Sequence, residues 1–284
     1  MGYLAYINGQ IVPAKEAKIS VFDAAYLYGE GLFEVLLAHR GKVLFFDRHL
    51  HRLFRGTRLL GIKSPLSRDR LKKAVYRTLK ANHLNEAFIR IGLSTVETDV
   101  GVRKRSRGGT NLVIFVKSFV PYPSILYRRG ARLILVTSSR NDPRSISGIK
   151  STNFLSKIMG RREIQRRRAD EGVLLNAEGR VTECAGSNIF IVLKGKLLTP
   201  PLEEGLLPGV TREVLLELAK KLKIPVQQKS LMIKNLKQAE EIFITSTLKK
   251  ILPVHKFEGC RKKVPGTITT LLARSFQEYV ERQV

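Results

Sequence analysis

Two segments of the sequence combine small residues with groups that bind anions. Gly205-Leu-Leu-Pro-Gly209 runs directly into Val210 and Thr211, which open a predicted helix. A helix start offers free backbone N–H groups and the positive end of the helix dipole, and Thr211 adds a hydroxyl, so a phosphate group would fit there. Thr245-Ser246-Thr247 adds hydroxyls and amides after a predicted strand. Each segment by itself also fits an ordinary turn.

Two ionisable residues stand in similar settings. Lys150 lies in Ser147-Gly-Ile-Lys-Ser-Thr-Asn153, between a predicted strand and a predicted helix, and Glu183 is followed by small residues and an apolar strand. Taken singly, Lys150 is one of 51 basic residues and Glu183 could be a surface carboxylate after a turn. Together with the phosphate-binding segment at Gly205–Thr211, however, the amine of Lys150 and the acid of Glu183 suit pyridoxal phosphate. That cofactor needs an amine for its Schiff base and an acid that keeps its pyridine nitrogen protonated.

Composition limits the class of protein. The 284 residues have 43% hydrophobic and 26% charged residues, as globular proteins do, and no run approaches the ~18 apolar residues of a membrane span. We expect no signal peptide and, with two cysteines, a reducing, cytoplasmic compartment. Five histidines make a metal site unexpected.

The formal net charge of +27 makes nucleic acid a candidate partner. The basic residues cluster at Arg68–Lys73, Arg103–Arg107, Arg161–Arg168 and Arg261–Lys263, but none of the spacings typical of nucleic-acid-binding motifs occurs. A basic nucleic-acid-binding protein is therefore kept as the alternative from a different class. The charge is also explained by a soluble protein with a basic surface, or by one that handles anionic ligands, and these explanations are preferred.

The elements predicted for the first third form an α+β unit. Asn8-Gly9 and Arg40-Gly41 predict hairpin turns, because both pairs accommodate positive φ. Asp47 is the predicted N-cap of a helix that ends before Gly61, and Ser67 or Asp69 caps a second helix. The other predictions here are strands over Ala87–Leu93 and Leu112–Val120, with a polar, basic loop at Thr98–Thr110 between them.

The predicted domains are residues 1–120, a linker at 121–130 that begins with Pro121-Tyr-Pro-Ser124, and residues 131–284. The elements predicted after the linker are strand Arg132–Ser138, a polar loop at Ser139–Gly148, helix Thr152–Arg168, strands Gly172–Leu175, Asn188–Leu193 and Leu197–Thr199, helix Thr211–Leu222, strands Ile224–Gln228 and Glu241–Thr245, and helix Thr267–Val280.

The chain resembles the class-IV aminotransferases, the fold-type IV group of pyridoxal-phosphate enzymes. Six segments carry the resemblance in order and spacing: YINGQIVPAKEAKISVFDAAYLYGEGLFEVLL, HLHRL, GIKSTNFLSKI, EGVLLNAEGRVTECAGSNIFIV, LLPGVTREVLLELAKKL and EIFITSTLKKILPV. The resemblance implies an α+β fold with a small N-terminal domain, a large C-terminal cofactor-binding domain and the cofactor in the cleft between them. It also implies a homodimer or higher homo-oligomer that acts on small amino acids and 2-oxo acids.

Carried over residue by residue, the resemblance assigns roles to the residues already singled out. Lys150 becomes the Schiff-base lysine and proton shuttle, and Glu183 bonds the pyridinium nitrogen. Arg52, in HLHRL, binds the phosphate, because two N–H groups of a guanidinium can donate to two phosphate oxygens at once. The other expected phosphate ligands are Val210, Thr211, Ser246 and Thr247, and the expected substrate-binding residues are Phe33, Phe88, Arg90 and Leu248.

The substrate is the open part of the resemblance. Branched-chain enzymes carry Tyr-Ile-Arg where this chain has Phe88-Ile89-Arg90, and that arginine reads the distal carboxylate of glutamate. D-amino-acid aminotransferases and aminodeoxychorismate lyases usually carry Arg-Gly where this chain has Thr95-Val96. We therefore expect transamination of a branched-chain or similar hydrophobic amino acid with 2-oxoglutarate. D-amino-acid or (R)-amine transamination and lyase chemistry stay as alternatives.

Two aromatic positions also separate the families. Phe33 stands where D-specific enzymes resemble each other in having Tyr, and Phe154 stands where many branched-chain enzymes have a Tyr near the phenolic oxygen of the cofactor. The basic stretch Arg103–Arg107 could supply a substitute anion receptor under any of these readings.

Overall fold

A computed structural model describes residues 2–96, 109–140 and 148–284. The chain divides into two compact units. The first comprises Met1–Val120, Ile149–Phe154 and Gln283–Val284, and the second comprises Pro121–Gly148 and Leu155–Arg282. No helix of the described ranges is long and apolar enough to cross a bilayer.

The first unit is built on a six-stranded antiparallel sheet with three helices. Its elements are β1 (Leu4–Ile7), β2 (Gln10–Pro13), α1 (Ala24–Tyr28), β3 (Gly31–His39), β4 (Lys42–Val43), α2 (Phe46–Leu60), α3 (Arg68–Ala81), β5 (Ala87–Thr95) and β6 (Thr110–Ser118). The strand order is β2-β1-β6-β5-β3-β4, and every neighbouring pair is antiparallel.

Turn and cap residues set most of these boundaries. Asn8 and Arg40 adopt φ values of 49°, and each precedes a glycine with positive φ, so both predicted hairpins are confirmed. Ser67 caps α3 by accepting a hydrogen bond from the Arg70 amide. The predicted cap Asp47 is wrong: the N-cap of α2 is Phe45, two residues earlier, and it makes no side-chain cap bond.

The core of the first unit lies between the sheet and the helices α2 and α3. Leu32 and Leu36 of β3 pack with Leu50 and Leu53 of α2, and all four side chains are buried. Side chains alternate along a strand, so Glu34 points to this same apolar face while Phe33 points to the opposite one. A carboxylate inside such a core requires partners, because an unpaired buried charge is costly.

The second unit is built on a nine-stranded mixed sheet with five helices in its described residues. Its elements are α4 (Ser124–Arg129), β7 (Ala131–Arg140), α5 (Leu155–Arg166), β8 (Glu171–Leu175), β9 (Val181–Cys184), β10 (Asn188–Leu193), β11 (Lys196–Thr199), α6 (Val210–Lys221), β12 (Val226–Gln228), α7 (Ile233–Gln238), β13 (Glu241–Ser246), β14 (Lys250–Phe257), β15 (Cys260–Arg261) and α8 (Thr267–Glu281). The strand order is β12-β11-β10-β13-β14-β7-β8-β9, and β15 pairs with β14.

A buried carboxylate holds α5 against β7. Glu163 accepts hydrogen bonds from the backbone amides of Thr137 at 3.0 Å and Ser138 at 2.9 Å. Burial would raise the pKa of Glu163, but these donors, together with Arg167, outweigh it and lower the pKa from 4.5 to about 2. Gly160, one turn earlier, lies against Val136 of β7. These contacts therefore fix the rotation of α5 about its axis and its distance from the sheet.

The structure corrects three expectations about the elements. The helix predicted from Thr152 begins at Leu155, because residues 152–154 belong to the first unit and Thr152 pairs with Gly31. The predicted linker 121–130 contains the helix α4, which groups with the second unit. The strand β9, which carries Glu183, is absent from the predicted elements. The predicted loop at 98–110 lies outside the described residues apart from Gly109 and Thr110, as does the part of the loop at 139–148 that spans residues 141–147.

Candidate active site

The backbone of Lys150 is fixed to β3 in the first unit. The amide of Phe33 donates to the carbonyl of Lys150 at 2.9 Å, and the amide of Thr152 donates to the carbonyl of Gly31 at 2.8 Å. This close approach requires a glycine, since a Cβ at Gly31 would lie 2.9 Å from the Thr152 hydroxyl oxygen and 2.8 Å from the Cβ of Ala25. The lysine is thus held by a short extended segment rather than by a free loop.

The Phe33 ring brings two cations together. The guanidinium carbon of Arg90 lies 3.8 Å from the ring centroid, and Nζ of Lys150 lies 4.6 Å from it. Arg90 belongs to β5, where it pairs with Val35, so its side chain leaves the sheet on the same face as Phe33. Partial burial lowers the pKa of Arg90. Phe154 packs edge-on against Phe33, with ring centroids 5.8 Å apart. The Phe33 ring is therefore in contact with an amine, a guanidinium and a second aromatic ring.

Phe88, the other substrate residue expected on β5, lies elsewhere on this face. Phe33 pairs with Gly92, four residues from Phe88, which is about 13 Å along a strand. The centroid of the Phe88 ring lies 6.0 Å from that of Phe115, and Nζ of Lys117 lies 5.2 Å from the Phe88 centroid. The structure therefore does not bring Phe88 to the group around Lys150.

Arg52 has a buried carboxylate partner that the sequence did not indicate. Its Nε and Nη2 donate to the two oxygens of Glu34 at 2.7 and 2.8 Å, and His49 bonds the same carboxylate through Nδ1 at 2.9 Å. The bidentate contact accounts for two of the five N–H donors of a guanidinium. Glu34 thus fixes the plane of the guanidinium, to which the family resemblance assigned phosphate binding.

The charges of this cluster follow from its burial. Burial alone would raise the pKa of Glu34, but Arg52 and His49 outweigh it and lower the pKa from 4.5 to about 2. Burial also lowers the pKa of His49, whose side chain is fully enclosed. The imidazole is therefore neutral near pH 7, and its Nε2 has no hydrogen-bond partner among the described residues. Glu34 is ionised and Arg52 is its counter-ion.

Glu183 occupies a buried position on β9 in the second unit. One carboxylate oxygen accepts from Nζ of Lys157 at 2.7 Å, and the other accepts from the backbone amide of Leu207 at 3.2 Å. Asn188 approaches the second oxygen at 3.5 Å and donates more closely, at 2.9 Å, to the carbonyl of Leu207. The side chain is 4% exposed, so the alternative of a surface carboxylate is wrong.

These contacts connect Glu183 with the start of α6. Gly209 is the N-cap of that helix, and no side chain of the described residues caps it. A Cβ at Gly209 would come within 1.9 Å of Oδ1 of Asn188, so the close approach depends on glycine. Val210 and Thr211 follow, both buried. The first amides of a helix have no intrahelical partner, and here they lie beside the Glu183–Asn188 pair.

A buried hydroxyl completes this edge of the second sheet. Thr245 pairs with Asn188 across β13 and β10, and its Oγ1 is buried with no hydrogen-bond partner in the described ranges. Ser246 ends β13 and accepts from the Lys249 amide at 3.1 Å. Thr247 and Leu248 lie in the turn that follows, both partly buried. The expected phosphate ligands of this unit thus stand at the end of one strand and at the start of one helix.

The donors of each unit, taken separately, match one part of pyridoxal phosphate chemically. Uncapped helix amides and an unsatisfied buried hydroxyl match phosphate oxygens, and a buried carboxylate matches a protonated pyridine nitrogen. Lys150 supplies a primary amine at the apolar ring of Phe33. Sequence reasoning missed Glu34, Asn188 and Thr245. A single acid inside the apolar strand GLFEVLLA was the one signal that could have indicated Glu34.

Comparisons with known proteins agree with this chemistry. The model of the family described as amino-transferase class IV matches residues 31–257. The chain belongs to the class IV aminotransferases. A Methanocaldococcus jannaschii protein provisionally named a branched-chain-amino-acid aminotransferase is 35% identical over 276 residues, which cover 96% of this chain and 95% of the relative. This class IV aminotransferase is accordingly a pyridoxal-phosphate-dependent enzyme.

Solved class IV structures share the fold along the whole chain. The branched-chain aminotransferase of the archaeon Thermoproteus uzoniensis, solved with norvaline, superposes with a TM-score of 0.93 at 31% identity and covers 100% of this chain and 96% of its own. The T.th. branched-chain amino acid aminotransferase, solved with pyridoxamine 5′-phosphate, superposes with a TM-score of 0.93 at 25% identity, with the same coverage. The fold-type IV, α+β architecture expected for this class IV enzyme is confirmed.

Proposed function

We propose that this chain catalyses transamination between a branched-chain or similar hydrophobic amino acid and 2-oxoglutarate, with pyridoxal 5′-phosphate as cofactor. The observation that carries the proposal is the shared contact of Lys150 and Arg90 with the Phe33 ring. A carboxylate held by Arg90 and an apolar side chain against Phe33 would both lie beside the amine of Lys150. That combination suits an enzyme whose two substrates are one apolar and one acidic.

In the first unit, Lys150 binds the cofactor through its amine and moves the proton at the substrate α-carbon. Its backbone hydrogen bond to Phe33 keeps the amine oriented. Arg52 binds the phosphate through its guanidinium, and Glu34 sets the plane of that group. The neutral His49 donates a hydrogen bond from Nδ1 to the Glu34 carboxylate and adds no second positive charge beside it.

In the second unit, Glu183 holds a proton on the pyridine nitrogen, and Val210 and Thr211 bind the phosphate at the start of α6. Ser246 and Thr247 contribute further phosphate donors, and the buried hydroxyl of Thr245 is a donor of the same kind. When bound, the cofactor supplies an electron sink for the amino group transfer. Asn188 keeps Glu183 and the helix start in one arrangement through its two hydrogen bonds.

Substrate selection rests on Phe33, Arg90 and Leu248 in this proposal. Phe33 and the neighbouring Phe154 exclude water from the amine and favour an apolar side chain, because burying such a side chain removes apolar surface from water. Arg90 pairs with the distal carboxylate of glutamate or 2-oxoglutarate. Phe88 has no part in it, since its ring packs against Phe115 instead.

We also propose that the enzyme acts as a homodimer or higher homo-oligomer. Residues 19–28 of the first unit support this, because they expose six large hydrophobic side chains: Ile19, Val21, Phe22, Tyr26, Leu27 and Tyr28. Exposed apolar patches of that kind mark interaction surfaces in soluble proteins. Cys184 and Cys260, both free thiols in the described residues, agree with a reducing, cytoplasmic compartment.

The first test loads the purified protein with pyridoxal 5′-phosphate, reduces it with borohydride and maps the labelled peptide. We expect the label on Lys150, and a label on Lys157 or on another lysine would contradict the assignment. Lys150→Ala is the matched control, since it removes the amine and leaves the backbone pairing with Phe33 in place.

The second test follows half-reactions by absorbance with L and D forms of valine, leucine, alanine and glutamate and with one (R)-amine. We expect L-leucine, L-valine and L-glutamate to convert the cofactor. Conversion by the D forms or the amine would favour the D-amino-acid or (R)-amine alternative. Release of pyruvate from aminodeoxychorismate would favour lyase chemistry, and a protein that takes up no cofactor but binds RNA would favour the nucleic-acid alternative.

A further inference from the structure

Lys157 lies close to the carboxylate that the proposed function assigns to the pyridine nitrogen. It stands in the first turn of α5, seven residues after Lys150 in the sequence, and its Nζ lies 2.7 Å from Oε1 of Glu183. The lysine side chain is 22% exposed, whereas that of Glu183 is 4% exposed. The pair therefore joins a partly hydrated cation to a buried anion.

The position of Lys157 is set by the packing of its helix. Glu163 binds two amides of β7, and Gly160 lies against Val136, so α5 has one placement on the sheet. Within that placement Lys157 reaches Glu183 on β9, the strand that pairs with β8. A lysine that reaches Glu183 from a fixed helix needs little additional ordering, which makes the ion pair stronger than a typical surface pair.

The oxygens of Glu183 are divided between two kinds of donor. Oε2 faces the Leu207 amide and Asn188, which belong to the segment leading into α6 and to β10, while Oε1 faces Lys157. A pyridine N–H group directed at this carboxylate brings a second positive charge to a group that already has one. Two cations around one carboxylate repel each other, so each weakens the binding of the other.

We propose that Lys157 is a positioning residue that holds the Glu183 carboxylate and competes with the cofactor ring nitrogen for it, thereby limiting cofactor affinity. The inference rests on the proposed function, since it takes Glu183 as the partner of that nitrogen. Without Lys157, the buried carboxylate of the cofactor-free protein has lost the positive charge 2.7 Å from Oε1, and binding of the cofactor then brings a positive charge to it. Removal of the lysine should therefore lower the stability of the free protein and tighten cofactor binding.

The test measures binding of pyridoxamine 5′-phosphate, which forms no covalent bond with Lys150, by fluorescence titration and by the shift of the unfolding temperature. We expect Lys157→Met to lower Kd about tenfold, equivalent to about 1.4 kcal/mol. Its unfolding temperature should fall without ligand and rise more on ligand addition than that of the wild type. Lys157→Gln, which removes the charge but keeps a donor, serves if the methionine variant does not fold.

Three controls separate competition from a purely structural role. Lys157→Arg keeps the ion pair and should bind as the wild type does. In the Glu183→Gln background, Lys157→Met should no longer change Kd, because no carboxylate is left to share. Lys249→Met breaks the comparable buried pair with Glu171, also 2.7 Å long, and should lower the unfolding temperature equally with and without ligand.

The outcomes are distinct. Equal or weaker binding by both Lys157→Met and Lys157→Gln, with normal binding by the wild type, overturns the competition and leaves the proposed function standing. A tightening that persists in the Glu183→Gln background also overturns it. A wild-type protein that does not bind pyridoxamine 5′-phosphate overturns the proposed function and this inference together.

Discussion

Arg90 stacks on Phe33, with its guanidinium carbon 3.8 Å from the ring centroid. Arg90 pairs with Val35, two residues along β3 from Phe33 and on the same face, so the contact is fixed by the sheet rather than by a loop. A guanidinium that stacks on a ring keeps the N–H groups along its edge for a carboxylate. Arg90 is therefore the residue whose removal should separate acidic from apolar substrates.

Arg90→Ala should impair glutamate and 2-oxoglutarate more than leucine or valine. The lost charge-assisted hydrogen bonds are worth about 1.5–3 kcal/mol, which is roughly 10- to 100-fold in kcat/KM for the acidic substrates. Half-reaction rates for glutamate and leucine decide the matter. The matched control is Lys117→Ala, a cation on the same sheet face that stacks on Phe88. Equal losses for both substrates would remove Arg90 from the substrate site.

Glu183→Gln should slow the half-reaction by at least about tenfold, or about 1.4 kcal/mol in the barrier, while the cofactor still binds. The amide cannot keep the pyridine nitrogen protonated, so the electron sink weakens. Stopped-flow absorbance gives the rate constant directly. Glu241→Gln is the control, since Glu241 is another buried carboxylate, bonded to Thr269 at the opposite end of β13. An unchanged rate constant for Glu183→Gln would refute the role.

Gly209→Ala should weaken binding of pyridoxamine 5′-phosphate by about tenfold or more. The added Cβ would stand 1.9 Å from Oδ1 of Asn188, so the asparagine must move and give up its bonds to Leu207 and Glu183. Fluorescence titration measures the affinity. Gly160→Ala is the matched control, because its Cβ meets Val136 at an ordinary 3.4 Å. Similar affinities for the two variants would show that the Gly209 contact has no part in binding.

The Glu34–Arg52 pair should make stability depend on pH. The pKa of Glu34 is about 2 in the folded protein and about 4.5 otherwise, so its contribution is present above pH 4.5 and is lost as pH falls towards 2. At pH 7, Glu34→Gln should lower the free energy of unfolding by about 3 kcal/mol, because it removes the carboxylate that pairs with Arg52. The difference from the wild type should shrink steadily at lower pH.

Urea unfolding at several pH values between 7 and 3 measures this dependence. Glu86→Gln provides the contrast, since Glu86 pairs with His39 at the surface and its side chain is 49% exposed. Such a pair contributes about 1 kcal/mol or less. If the loss caused by Glu34→Gln were the same at pH 7 and at pH 3, the buried ion pair would not be the source of the stability.

Local signals in the sequence were enough for the turns and for one side of the site. Asn8-Gly9 and Gly61 act through their own φ preferences, so the hairpin and the end of α2 followed directly. The start of α6 was predicted from another local signal, since Pro208 and Gly209 stand directly before it. The family resemblance then supplied the roles of Lys150 and Glu183, which no local pattern distinguishes from other charged residues.

Contacts between distant elements could not be predicted in this way. Arg52 meets Glu34 because α2 packs over β3. Lys157 meets Glu183 because α5 packs on β7 and β8, and β8 pairs with β9. Neither pair has a spacing that a periodicity reveals. Ser-Thr-Asn153 resembles a helix start, yet the hydrogen bond from Thr152 to Gly31 holds these residues extended. Tertiary hydrogen bonding outweighed local propensity there.

The return of residues 149–154 to the first unit has a consequence for how the chain folds during synthesis. Beside β3, β4 pairs with Ala38 and His39, whereas Gly31 and Phe33 pair with Thr152 and Lys150. At ribosomal speed these partners are made on the order of ten seconds after β3. Until then the nascent chain presents an unpaired strand edge, the kind of surface at which chains associate wrongly. The segment that carries the reactive lysine is also the one that closes this edge, so a ribosome stalled before residue 149 leaves an aggregation-prone fragment.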